Sequence, residues 1–166
     1  SDRKAYVNSL FASGKEMVLT DLMKLIRDKD FDVRREAIYI AGKQNVKELL
    51  PDICECLNIP QLSKDAYYAL KSFGTGAFEA LTTHYFRSTG NTYVRTLLIR
   101  LFRETKDISA NAFLLPRLWS VHRDLRKEAL TGLLGCDFKP SEEEKDKLIQ
   151  EIQEVIGFLT WNIAAT

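Results

Sequence analysis

The phrase Asp32-Val33-Arg34-Arg35-Glu36-Ala37-Ile38 returns near the other end of the chain as Asp124-Leu125-Arg126-Lys127-Glu128-Ala129-Leu130. The positions agree in kind throughout: acid, aliphatic, arginine, base, glutamate, alanine, aliphatic. Repetition this dense constrains the fold before local propensity does, because a repeated unit covers its apolar side only by stacking on its neighbours. Two fainter copies lie between, Leu62-Ser63-Lys64-Asp65-Ala66-Tyr67 and Val94-Arg95-Thr96-Leu97-Leu98-Ile99. Aligned on the arginine column, the copies sit at Arg34, Ser63, Arg95 and Arg126, in steps of 29, 32 and 31 residues. A second phrase, Leu49-Leu50-Pro51-Asp52-Ile53, recurs as Leu114-Leu115-Pro116-Arg117-Leu118.

Apolar residues three or four apart (Val18, Leu22, Leu25, Ile26; then Val33, Ala37, Ile40, Ala41; then Leu50, Ile53, Leu57) are the signature of helices, and no strand-like alternation competes with it. The spacing predicts helices near 3–13, 16–28, 32–43, 46–58, 62–73, 76–87, 92–104, 111–121, 124–134 and 141–163. Asp32 and Asp124 are expected as N-caps, and Ser141 with Glu144 as a capping box. Gly14, Gly74 and Gly90 suit reversals that need positive φ. The repeating unit is thus a helix pair, giving pairs at about 16–44, 46–74, 76–106 and 111–136 within one domain, 1–166. Caps at 3–13 and 141–163 would close the ends.

Composition narrows the function classes. A net charge of +1 gives no global attraction to nucleic acid or anionic lipid. Three cysteines, Cys54, Cys56 and Cys136, cannot all pair, and no CxxC is present, so free thiols in a reducing, cytoplasmic setting are expected. No apolar run approaches the roughly 20 residues that a membrane-spanning helix requires. The chain begins at Ser1 without methionine, which reads as a processed product or an excised part of a longer protein.

The two LLP phrases and the VRxxA-like phrases at 33–37, 94–98 and 125–129 resemble the HEAT-repeat family of armadillo/HEAT-like α-solenoids, over about residues 16–136. The resemblance implies an all-α, right-handed superhelix of about four helix pairs with terminal cap helices. It implies that the arginine column (Arg34, Arg95, Arg126) is structural, with Asp28, six residues before Arg34, as its ladder partner. At the corresponding places Leu57, Thr89 and Ser120 depart from the pattern, so packing must align the later units. Alanines 37, 66 and 129 permit close approach of the second helices, whereas Leu98 in that column should hold the third unit slightly away. The resemblance further implies that second helices line the concave face. Residues one and five past the arginine column would point outward there: Arg35 and Tyr39, Lys64 and Tyr68, Thr96 and Arg100, Lys127 and Thr131. Lys43, Lys71 and Arg103 lie near the same stripe, and Glu36, Asp65 and Glu128 beside it offset its charge.

Other constellations lead nowhere chemical. Gly74-Thr75-Gly76 lacks the strand before it and the third glycine of a dinucleotide fingerprint. His84 and His122 have no metal-ligand partner four residues away and read as surface or interface groups. No catalytic set, metal site or cofactor motif is found. The apolar run 155–165 fits docking on the last repeat or an interface with another part of the parent chain. The expected function is therefore non-enzymatic: a scaffold or adaptor that binds another protein, or another domain of its parent, through Arg35, Tyr39, Lys64, Tyr68, Arg100 and Lys127. Two alternatives stand beside it. One is a regulatory soluble domain of a larger protein such as a membrane transporter. The other is a DNA-binding protein resembling HEAT-like alkylpurine DNA glycosylases, although no catalytic aspartate flanked by tryptophans is evident.

Overall fold

The structure is a computed structural model describing residues 5, 9, 19–146, 148–150 and 153. Among these the regular structure is all helical. The α-helices are α1 (Leu19–Leu25), α2 (Phe31–Lys43), α3 (Leu50–Cys56), α4 (Pro60–Ser72), α5 (Phe78–Arg87), α6 (Thr92–Thr105), α7 (Asn111–Leu114) and α8 (Arg123–Gly135). Short 3-10 turns at Lys47–Leu49, Gly74–Ala77 and Ile108–Ala110 lead into α3, α5 and α7. The chain forms two compact units, Ser1–Cys136 and Asp137–Thr166. In the second, residues 142–146 and 148–150 are helical, and the predicted capping box is present. Ser141 N donates to Glu144 Oε2 at 2.7 Å and Glu144 N to Ser141 Oγ at 3.3 Å. The cap read at 3–13 lies outside the described residues save Ala5 and Ser9, as does the run 155–165.

In the first unit α1 packs on α2, α3 on α4, α5 on α6 and α7 on α8. The second members α2, α4, α6 and α8 also touch one another in chain order. Local sequence explains the boundaries. Asp30, not Asp32, caps α2, accepting from Asp32 N at 2.8 Å. Asp124 likewise lies inside the first turn of α8, whose cap position is His122. Both aspartates still face the positive end of the helix dipole, which accounts for an acid recurring two positions past the cap. Asn91 caps α6 through Val94 N at 3.1 Å. Pro51 and Pro60 stand in the first turns of α3 and α4, where a missing amide costs nothing. The helix predicted over 111–121 is broken, and Pro116 is the reason. Its ring crowds the carbonyl four residues back and it offers no N–H, so the α-ladder stops at Leu114 and the chain continues as a 3-10 turn over Leu115–Trp119.

The far ends of the second helices repeat as well. Asn45, Gly74, Lys106 and Asp137 take φ of 54°, 55°, 51° and 50°. They stand eleven residues past Arg34, Ser63, Arg95 and Arg126, so their steps are again 29, 32 and 31. At Asn45, Gly74 and Lys106 the left-handed residue reverses the chain and lets it return as the next first helix. Gly90, expected to need positive φ, does not adopt it.

The alanine column, with Leu98 in its third place, is 0% exposed throughout. Each fully buried leucine or isoleucine around it contributes roughly 1.5–3 kcal/mol. Junctions between second helices differ in closeness. A Cβ on Gly42 would stand 3.0 Å from Ala69 Cα, and one on Gly132 would stand 2.7 Å from Leu114 Cδ1 and 3.2 Å from Arg103 Cβ. The α4–α6 junction is the sparsest of the three and holds a void of about 90 Å³ lined in part by Leu70, Leu81 and Leu101. The third unit is therefore looser on its α4 side alone; on its α8 side, where Leu98 is expected to hold it away as well, Gly132 keeps α6 and α8 close. Aromatic rings fill the first-helix side: Phe102 stacks on Phe113 at 3.9 Å and meets Phe78 at 4.4 Å.

Candidate functional site

The outward positions of the second helices fall into two groups, and neighbouring acids decide which. Arg35 is bound on three sides: Nη1 to Asp32 Oδ1 at 2.5 Å, Nη2 to the Gln61 carbonyl at 3.3 Å, and Nε facing Asp65 Oδ2 at 3.5 Å across the α2–α4 junction. Arg100 grips Glu128 Oε1 through Nη2 at 2.7 Å and Nε at 3.2 Å, and Arg103 Nη1 takes Oε2 at 2.6 Å. Glu128 is 8% exposed, so this is a buried clasp between α6 and α8. It raises the Arg100 pKa, chiefly through the hydrogen bond to Glu128. At α4–α6 the same task falls to Glu104, which accepts from Tyr67 Oη at 2.6 Å and pairs with Lys71 Nζ at 2.5 Å. Burial alone would raise the Glu104 carboxyl, but the bonds from Lys71 and Tyr67 outweigh it and hold its pKa low. Burial, then the Glu104 bond, pushes the Tyr67 phenol up.

Of the remaining stripe positions Thr96 is half-buried, its hydroxyl donating to the Thr92 carbonyl at 2.8 Å, and the others face solvent. Tyr39 and Tyr68 are 55% and 58% exposed. Lys43 Nζ lies 6.0 Å over the Tyr39 ring, and Tyr68 meets Tyr67 edge-on at 5.9 Å. Lys64 and Lys127 are exposed and extend from α4 and α8. The structure thus brings together Tyr39, Lys64 and Tyr68 on the adjacent helices α2 and α4 as the open part of the predicted stripe, and it places Arg35 and Arg100 in helix–helix clasps. Glu104 and Tyr67 were missed as bridging residues. The signal available for the others was the acid two past the arginine column, Glu36, Asp65 and Glu128, which reads as an offset to the stripe until the neighbouring helix is seen.

The arginine column is packed inward. Arg34 Nη2 donates to Cys56 Sγ at 3.5 Å, and Arg126 Nη1 donates to the Ser120 carbonyl at 2.6 Å. The Arg95 guanidinium lies 4.1 Å over the Tyr85 ring, with Arg117 4.8 Å from the same ring and 3.9 Å from Phe113. Asp28 closes the turn before α2, accepting from Asp30 N at 2.9 Å. These contacts fasten first helices to second helices and leave the arginines poorly placed to meet a ligand.

On the opposite side, Glu55, Asn58, His84, Arg87, Ser88, Gly90 and Asn91 line an open cleft of about 310 Å³. His84, 5% exposed, sits between α3 and α5, with Nδ1 3.6 Å from Glu55 Oε1 and Nε2 3.4 Å from the Asn58 amide. Burial lowers its pKa, Glu55 opposes the shift and Arg87 adds to it. Cys54, Cys56 and Cys136 are buried, and burial pushes the Cys54 thiol up to about 12. Among the described residues no group of histidines, cysteines and acids is arranged to hold a metal ion. No helix among them is long and apolar enough to cross a membrane. No family model matches this chain, and no curated protein matches it either.

Proposed function

We propose that this chain is a non-enzymatic HEAT-like scaffold, a right-handed superhelix of four helix pairs that binds another protein or another domain of its parent along its second helices. The matching steps of the arginine column and of the left-handed helix ends support the repeat reading. The observation that carries the binding role is the pair Tyr39 and Tyr68. They occupy the same repeat position on adjacent helices, more than half exposed, with Lys64 alongside. Tyrosine offers large, rigid contact area with a polar tip, and it is enriched among the residues that dominate binding energy. A lysine beside two such rings suits an acidic partner segment.

The internal clasps favour a protein partner over DNA. Binding to phosphates draws on unpaired bases, one counterion released for each contact. Arg35, Lys71, Arg100 and Arg103 are already committed to Asp65, Glu104 and Glu128.

The test is affinity capture by the chain, followed by titration of the purified partner against the variant Tyr39→Ala/Lys64→Glu/Tyr68→Ala. Surface substitutions of this kind cost within about 0.5 kcal/mol each, so the thermal midpoint should stay close to that of the parent chain. Affinity should fall at least about tenfold, the equivalent of roughly 1.4 kcal/mol. An unchanged dissociation constant with the fold intact removes this site assignment. Salt-sensitive gel shifts with duplex DNA would instead favour the nucleic-acid reading.

A further inference from the structure

The cleft at the ends of α3 and α5 differs from the helix–helix clasps in how loosely its polar groups hold one another. In the clasps, Tyr67 meets Glu104 at 2.6 Å, Arg103 meets Glu128 at 2.6 Å and Arg100 meets Glu128 at 2.7 Å. Around the cleft, Asn58 Nδ2 stands 3.5 Å from Glu55 Oε2 and 3.4 Å from His84 Nε2. Asn91 Nδ2 stands 3.4 Å from Asn58 Oδ1, and His84 Nδ1 stands 3.6 Å from Glu55 Oε1. Hydrogen bonds weaken at such separations, so these groups converge on the cleft with bonding capacity to spare. Ser88 goes further. It is 9% exposed, it lines the cleft, and its hydroxyl has no partner among the described residues. A buried hydroxyl is ordinarily bonded, and an unbonded one at a cleft wall marks a place for an incoming polar group.

The charges are arranged in the same way. Glu55, its side chain 60% exposed, reaches no lysine or arginine among the described residues, and Arg87 reaches no carboxylate among them. Both nevertheless act on His84, the carboxylate opposing the lowering of its pKa and the guanidinium adding to it. We propose that this cleft binds a small zwitterion, a free polar α-amino acid, whose ammonium group meets Glu55 and whose carboxylate meets Arg87 and the Ser88 hydroxyl. One acid against one base, with the imidazole between its two neutral tautomers above pH 6.5, makes neither an anion site nor a cation site. A phosphate would be repelled by Glu55, and among the described residues a metal ion would find no third ligand. At about 310 Å³ the cleft stands at the small end of ligand pockets, and its polar lining suits a charged molecule better than an apolar one. The site shares no residue with Tyr39, Lys64 and Tyr68, so the failure of either leaves the other standing.

The test titrates the isotopically labelled full chain with L-serine, L-asparagine and L-glutamine in turn and follows its amide and imidazole resonances. At least one should bind saturably with a midpoint below about 1 mM and move the signals of His84, Ser88 and Asn91. Glu55→Gln and Arg87→Gln should each weaken that binding about tenfold or more, because each removes a charge-assisted bond. Both residues are exposed, so the variants should keep the thermal midpoint of the parent chain. Ser88→Ala should also weaken binding. The same amino acid without its carboxylate, and the same acid without its amino group, should each bind about tenfold more weakly. No saturable binding by any of the three amino acids overturns the proposal. Undiminished binding of the compound without the amino group would assign the cleft to simple anions and overturn it equally. Unchanged affinity in Glu55→Gln or Arg87→Gln does the same, since a zwitterion must use both ends.

Discussion

Replacing Glu128 with glutamine tests whether the charged residues of the second helices hold the fold or await a partner. The carboxylate accepts three charge-assisted hydrogen bonds, at 2.6, 2.7 and 3.2 Å, from two guanidinium groups. Its side chain is 10% exposed, while Arg100 and Arg103 are 39% and 28% exposed. Glutamine keeps the shape but offers a single acceptor, and it turns an NH₂ toward one of the donors. Hydrogen bonds to charged groups contribute about 1.5–3 kcal/mol each, and breaking a wholly buried pair costs about 3–5 kcal/mol. Water can rehydrate the two half-exposed arginines and recover part of that, so the expected loss is about 2–3 kcal/mol. Urea unfolding at neutral pH measures it as a lower midpoint with an unchanged slope. Asp32→Asn breaks an exposed pair three residues apart on one helix, and it should cost no more than about 0.5 kcal/mol. A double-mutant cycle with Arg100→Met should give a coupling of about 1 kcal/mol or more between positions 100 and 128. A Glu128→Gln loss below about 0.5 kcal/mol would falsify the clasp and return Arg100 to the list of partner contacts.

Three further outcomes follow from the packing and the titrating groups. Gly42→Ala places a methyl 3.0 Å from the Ala69 backbone, which cannot rotate away, so α2 and α4 must separate. The cost is about 1–3 kcal/mol, read as a lower thermal midpoint, and an unchanged midpoint would show that the junction is slack. His84 has its pKa lowered from 6.5 in the fold, so the unfolded chain binds the proton more readily. Stability is therefore complete above about pH 6.5 and declines as pH falls from there through the lowered value. Replacing the ring with His84→Gln should flatten that decline in unfolding curves at graded pH, and a parallel decline in the variant would assign it elsewhere. Cys54, buried with its thiol pushed up to about 12, should react with thiol reagents only when the chain opens. Its labelling rate should rise with urea alongside global unfolding, and fast labelling in native buffer would contradict the packing of α3 on α4.

Much of the helical framework was legible because its signals are local. A heptad-like stripe needs no neighbour to be recognised, and prolines and glycines mark where it stops. The left-handed ends were only half legible. Gly74 declared itself, whereas Asn45, Lys106 and Asp137 adopt the same backbone without a glycine's freedom. They do so because register places them there, and register shows only when all four copies are aligned. The broken helix at Leu115–Trp119 was readable in principle from Pro116, but the strong periodicity around it masked the interruption. Least legible were the clasps. Glu104 lies nine residues past the arginine column of its own copy and joins residues more than thirty positions earlier, Tyr67 and Lys71. Nothing in either segment announces the other.

The open and committed positions of the stripe follow one rule that composition alone would not suggest. A base pointing out of one second helix becomes structural when the following second helix brings an acid within reach, and it stays open otherwise. Asp65, two past the column in the second copy, claims Arg35 of the first. Glu128, two past the column in the fourth, claims Arg100 and Arg103 of the third. In the third copy that place belongs to Leu97, which is 8% exposed and carries no charge. Lys64 of the second copy consequently has no acid to meet there, and it projects beside Tyr68. The candidate partner site is therefore a consequence of one apolar residue in a neighbouring repeat. If so, Leu97→Glu should draw Lys64 into a new α4–α6 clasp and blunt partner binding with Lys64 and both tyrosines still in place. Partner affinity that survives Leu97→Glu in a folded chain, measured by the titration used for the tyrosine variant, would show that Lys64 contributes nothing to recognition.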